Sequence, residues 1–153
     1  MRRPGWGHLR EGLLAAVALV LLTASMASAR MVSVSGAKVN VRSGPGTRYS
    51  LVCELGDGYP LKVIGTKGKW LKVTDFENDK GWVLSRVVGR VPHVVVKVKR
   101  AVIRSGSGTH YRVVGRADYG VVFRTVENRG GWVKVKHESG LIGWIDRRLL
   151  WGW

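Results

Sequence analysis

The sequence predicts an all-β protein: two tandem small β-barrels preceded by a cleavable export signal. Three observations predict it. The segment 38–88 lies on 100–150 without a gap, the apolar residues of both segments alternate with period two, and glycine clusters punctuate the alternating runs. Gly is frequent among the 153 residues, at 21, and Val recurs throughout, which suits short strands joined by turns.

Residues 1–29 stand apart from the fold. Arg2, Arg3 and Arg10 give a positive start, Leu13–Leu22 is an unbroken apolar run, and Ala27-Ser28-Ala29 offers the small residues that a signal peptidase reads. That succession reads as a secretory signal; the alternative, an N-terminal membrane anchor, is disfavoured because the run is short for a span of about 20 residues. The mature chain is expected to begin at Arg30, to be periplasmic or otherwise in the extracellular cell envelope, and to keep no transmembrane segment.

The repeat carries most of the remaining information. Val41-Arg42-Ser43-Gly44-Pro45-Gly46-Thr47-Arg48-Tyr49 matches Ile103-Arg104-Ser105-Gly106-Ser107-Gly108-Thr109-His110-Tyr111. Gly68-Lys69-Trp70-Leu71-Lys72-Val73 matches Gly130-Gly131-Trp132-Val133-Lys134-Val135, and Gly81-Trp82-Val83 matches Gly143-Trp144-Ile145. Equal loop lengths in both halves set domains at 31–88 and 94–150, with 89–93 as a short linker and 151–153 as an aromatic tail. In that tail at least Trp151 is expected to fold back over a barrel end or the seam between the units rather than extend a ligand or membrane surface. Each unit is expected to hold about five or six strands. So small a unit buries little core and must close on itself to protect its strand edges.

The order Asn40-Val41-Arg42-Ser43-Gly44-Pro45-Gly46-Thr47-x-Tyr49, then Gly-x-Trp-x-Lys-Val, then Gly-Trp-Val resembles the bacterial SH3 domain (SH3b, type 3). The resemblance covers both repeats. The second departs from it at Val102, where the motif has Asn, and at Ser107, where it has Pro. It implies an SH3-like barrel and a role in the cell envelope, with peptidoglycan or its peptides as the usual ligand. A shared fold does not by itself carry a function.

No catalytic set is legible, so the chain is expected to be no enzyme and to need no cofactor and no metal. His93, His110 and His137 lack metal-ligand spacing, and no Gly-x-Ser-x-Gly element or Cys–His pairing occurs. The single cysteine, Cys53, cannot form an internal disulfide and reads as a small, partly buried apolar residue of a strand.

Candidate binding residues follow from strand alternation. If Leu71 and Val73 face the core, Trp70 and Lys72 share the outer face. Trp132 and Lys134 do the same in the second repeat. With Val83 and Ile145 inward, Trp82 and Trp144 point outward; a bulge at the glycine before each would instead turn these rings inward. Tyr49 and Tyr111 follow the glycine-rich turn as ligand contacts or as packed turn aromatics. Arg42 and Arg104 are read chiefly as pins that bond local carbonyls of that turn. Exposed aromatics beside basic groups suit sugar rings, peptides or cations.

From Arg30 onward, basic residues outnumber acidic ones 23 to 9, more steeply in the second half. Such an excess attracts anionic surfaces through salt-screened forces. Nucleic acid is disfavoured as a partner, because the chain reads as exported and lacks a continuous basic and aromatic track. The reading is therefore an exported, non-catalytic protein that binds a cell-wall polymer such as peptidoglycan. The alternative is an adaptor that docks an envelope protein.

Overall fold

The computed structural model describes residues 29–153. The expected export signal, residues 1–29, lies outside the described residues except for Ala29. Among the described residues, no helix is long and apolar enough to cross a membrane.

The first repeat contains β1 (Met31–Val34), β2 (Val39–Arg42), β3 (Leu51–Leu55), β4 (Pro60–Lys67), β5 (Trp70–Thr74), β6 (Lys80–Leu84) and β7 (Val88–Gly89). The second contains β8 (His93–Val96), β9 (Arg100–Arg104), β10 (Val113–Asp118), β11 (Val122–Arg129), β12 (Trp132–Lys136), β13 (Ile142–Asp146) and β14 (Leu150–Gly152). A single 3-10 turn precedes the last strand of each, at Ser85–Val87 and Arg147–Leu149. Each repeat forms one seven-stranded sheet, ordered β3-β2-β6-β5-β4-β1-β7 and β10-β9-β13-β12-β11-β8-β14. The paired strands are antiparallel, and β3 and β10 form one edge of each sheet.

Alternation decides what each sheet encloses. Leu71, Val73 and Val83 face inward with Val32, Val34, Val39, Val41 and Leu61. Val133, Val135 and Ile145 do so in the second repeat, around the buried Phe123. Register across β5 and β6 runs unbroken from Trp70 opposite Leu84 to Thr74 opposite Lys80, so no bulge reverses the alternation at Trp82. The glycine before each of these tryptophans has a different reason. Gly81 faces inward, and a Cβ there would collide with Val41 Cγ1; at Gly143 it would collide with Ile103 Cγ2. The missing side chain lets β2 settle on β6, and β9 on β13, which folds each sheet over its core.

The observed boundaries differ from the repeat-based ones. Gly89 pairs with Ser33 and His93 with Arg124, so both expected linker ends are strand residues and only Arg90-Val91-Pro92 connects the sheets. Trp151 and Gly152 are not a tail. Trp151 folds back as expected, but as strand: it pairs with Val95 in the place that Gly89 takes in the first repeat, and Gly152 extends the pairing to Val94. The repeat comparison hid this because β7 is so short.

The repeats pack on each other. β8 and β14 lie against β4. Trp153 Nε1 donates to Oγ of the buried Ser33 at 3.3 Å, Tyr119 OH donates to Glu77 Oε1 at 2.6 Å, and the Phe76 and Tyr119 rings are 5.2 Å apart. Chiefly through its bond to Glu77, the Tyr119 phenol is pushed up to about 12 from an ordinary 10.0.

Two outcomes follow. Gly81→Ala is expected to destabilise the protein by about 1–3 kcal/mol through overpacking. The double variant with Val41→Ala should lose less than the sum of the single losses in chemical denaturation. The Tyr119–Glu77 bond needs a neutral phenol, so its contribution is complete below pH 10 and disappears as pH rises through about 12. The difference in melting temperature between the protein and Tyr119→Phe should therefore close over that interval.

Candidate functional site

The glycine-rich turn after β2 is built around an aromatic ring. A Cβ on Gly44 would collide with the Tyr49 ring, and a Cβ on Gly106 would come 2.5 Å from the Tyr111 ring. Arg42 Nη1 donates to the Tyr49 carbonyl at 2.9 Å, and Arg104 Nη1 donates to the Tyr111 carbonyl at 2.9 Å. The recurrent arginine thus pins the turn, as its position suggested. Tyr49 is half-buried, with the Arg48 guanidinium 5.3 Å from its ring centre. Tyr111 is 42% exposed and lies 4.2 Å from the His110 ring.

The pinned arginine opens a row of side chains across the outer face. Arg42 lies opposite Trp82, and Trp82 opposite Lys72. The Lys72 ammonium sits 6.0 Å from the Trp82 ring centre, and both side chains are half-buried. Trp70, opposite Leu84, borders a groove of about 210 Å³ that Lys38, Asn40, Arg42 and Thr47 also line. Trp70, Lys72 and Trp82 are thereby brought onto one surface.

In the second repeat the row is Arg104, Trp144 and Lys134, again with Trp132 beside it, opposite Asp146. Trp144 is buried without the bulge that would have turned it inward. Its ring faces away from the core, yet the residue is only 6% exposed. Two cations cover it, Arg129 at 5.2 Å and Lys134 at 5.9 Å. Glu127 fixes the first of these, accepting from Arg129 Nε at 3.0 Å and Nη2 at 2.5 Å. Glu127 lies opposite Lys134 across the strand pair, and its counterpart in the first repeat, opposite Lys72, is Gly65. Asp146 accepts from Arg148, which holds its carboxyl below the usual range.

Cys53 corrects an expectation. It is exposed, because β3 is an edge strand with almost no buried residue. Partial covering of the thiol, together with the Asp75 and Asp79 charges, pushes its pKa up, which opposes an activated thiolate.

Two clusters escaped sequence reasoning. Asp75, Glu77 and Asp79 bring carboxylate oxygens within 4.8 Å of one another in the β5–β6 loop. Of the described residues, these have the spacing to hold a cation, although Asp75 Oδ1 already accepts the backbone N–H groups of Glu77 and Asp79. Their signal was the Asp-x-Glu-x-Asp spacing. The other cluster is a cleft of about 730 Å³ between the repeats, with Asp57 on one side and Arg124 and Lys136 on the other. It depends on how the barrels dock, which one repeat alone does not encode.

Residues 37–89 match a family model described as a bacterial SH3 domain, and residues 97–152 match a second model of the same description. The chain is 29% identical over 124 residues to YrvJ of Bacillus subtilis (strain 168), which bears the provisional name of an N-acetylmuramoyl-L-alanine amidase. That match takes in 74% of this chain, which spans only 24% of the relative's length. Among solved structures, NlpC2 from Trichomonas vaginalis is similar with a TM-score of 0.37 and 13% identity, over 81% of this chain and 48% of that one. An NlpC/P60 family protein from Bacillus cereus ATCC 10987 is similar with a TM-score of 0.38 and 12% identity, over 81% and 56%. TM-scores of this size carry no argument.

Arg42→Leu is expected to lower stability by about 1.5–3 kcal/mol, the range for a hydrogen bond from a charged group. The urea midpoint should fall while the slope of the transition stays unchanged.

Proposed function

We propose that this chain, which belongs to the bacterial SH3 family and carries two such domains in tandem, is an exported binding protein for cell-envelope material such as peptidoglycan or its peptides. The observation that carries the reading is the row Lys72–Trp82–Arg42 beside the groove at Trp70. An indole flanked by cationic donors gives a flat apolar contact and polar anchors at one place. The similarity to a protein provisionally named as an N-acetylmuramoyl-L-alanine amidase supports the same class of ligand. The reading assigns these two domains binding and no chemistry.

A second reading has its own observation. β3 is an open sheet edge, and Leu51 and Val52 on it are each 53% exposed. An extended segment of an envelope protein could add to that edge as a further strand, which would make the chain an adaptor.

Retention on purified peptidoglycan sacculi at two salt concentrations separates the possibilities. The expected result is retention that survives high salt and is lost in Trp82→Ala. Binding abolished by salt alone would reduce the interaction to charge attraction. No retention at either concentration would favour the adaptor, whose partner contact should then fail in Leu51→Lys.

A further inference from the structure

The repeats share one backbone plan and differ on the outer face that carries the tryptophans. In the second repeat, both acidic side chains of that face are taken up by the chain's own arginines. Glu127 holds Arg129, and Asp146 accepts from Arg148 through both carboxylate oxygens. Arg129 so held lies over Trp144 and leaves it 6% exposed. In the first repeat these acidic positions are Gly65 and Leu84, and Lys67 stands for Arg129. No carboxylate at position 65 draws Lys67 across the ring. Lys67 is exposed, and Trp82 stays half-buried with Lys72 beside it.

We infer that the first repeat alone presents an open ligand site, that this site takes a sugar ring bearing a carboxylate, and that the second repeat's equivalent is occupied by Arg129. The inference rests on the envelope-binding reading for the origin of the sugar, a muramic acid whose carboxylate is free where its amide bond to the wall peptide has been cut. A pyranose lays its C–H face on an indole, as aliphatic groups do on aromatic rings. Lys72 and Arg42 disfavour a cationic ligand there and complement a carboxylate. Arg42 spends Nη1 on the Tyr49 carbonyl, which leaves its other N–H donors uncommitted to that bond. The substitution of Glu127 by Gly at position 65 is the determinant that separates the open face from the closed one.

The test uses the full chain labelled with 5-fluorotryptophan and read by fluorine NMR, with Trp82→Phe and Trp144→Phe for assignment. N-acetylmuramic acid and N-acetylglucosamine serve as probes, since they share a ring and only the first has a carboxylate. The Trp82 resonance should move saturably with N-acetylmuramic acid while that of Trp144 stays still. N-acetylglucosamine should bind about tenfold more weakly, for want of one charge-assisted hydrogen bond. Glu127→Gly should release Arg129, raise the solvent isotope shift of the Trp144 fluorine and make that resonance respond to N-acetylmuramic acid.

Equal responses of Trp82 and Trp144 in the parent protein would overturn the asymmetry. A Trp144 signal that stays shielded in Glu127→Gly would overturn the role of that residue, and equal affinity for the two sugars would overturn the carboxylate. Retention on sacculi without any sugar response at Trp82 would sink this inference and leave the envelope reading standing. A sugar response without retention, even on sacculi whose wall peptides have been cut from the muramic acid by an amidase, would do the reverse.

Discussion

Each barrel depends on the contact between β2 and β6, or β9 and β13, where an inward Val41 or Ile103 occupies the space that a side chain on Gly81 or Gly143 would need. Only one residue pair aligns in register at each crossing, Arg42 with Trp82 and Arg104 with Trp144. So brief a pairing lets the sheet fold over its core. With cores in which valine is the commonest residue, the units have little apolar bulk to spare. Closure makes that small core sufficient, and it also carries the outward-facing arginine and tryptophan into one row. Site and fold therefore share one geometric cause.

Much of this was legible in the sequence, because the repeat and the alternation are properties of the backbone. Leu71, Val73 and Val83 turned inward, which placed Trp70, Lys72 and Trp82 on the outer face. Arg42 pinned the turn that it precedes. What was not legible depended on residues far apart in the chain. The covering of Trp144 needs Glu127 to hold Arg129 above it, and no local pattern announces a cation placed by a third residue. Cys53 sits in an apolar pentapeptide that looks like a core strand and turns out to be an edge, since strand order decides burial where composition does not. The folding back of Trp151 was legible as two tryptophans too apolar for solvent, but its strand pairing was not, because the counterpart of β14 spans only Val88–Gly89. Docking through Tyr119, Glu77 and Trp153 involves residues that the two halves do not share.

Duplication has given two frames of one design that now differ in upkeep of their surfaces. The second repeat balances its outer acids internally and lends β8 and β14 to the seam with the first. The first keeps a bare glycine where its partner keeps a glutamate. A three-residue connection and an interface of aromatic and hydroxyl groups restrict how far the two faces can reorient.

The open edges at β3 and β10 bear on how the protein survives in concentrated solution. Leu51, Val52 and Val113 expose apolar surface beside unpaired backbone, the arrangement that invites strand-to-strand aggregation between molecules. A chain that carries 23 Lys and Arg against 9 Asp and Glu from Arg30 onward meets another copy of itself with strong repulsion. The basic surplus thus acts as colloidal protection for edges that the fold leaves uncovered. Its reach shrinks with the Debye length, so crowding together with salt is the condition under which those edges find each other.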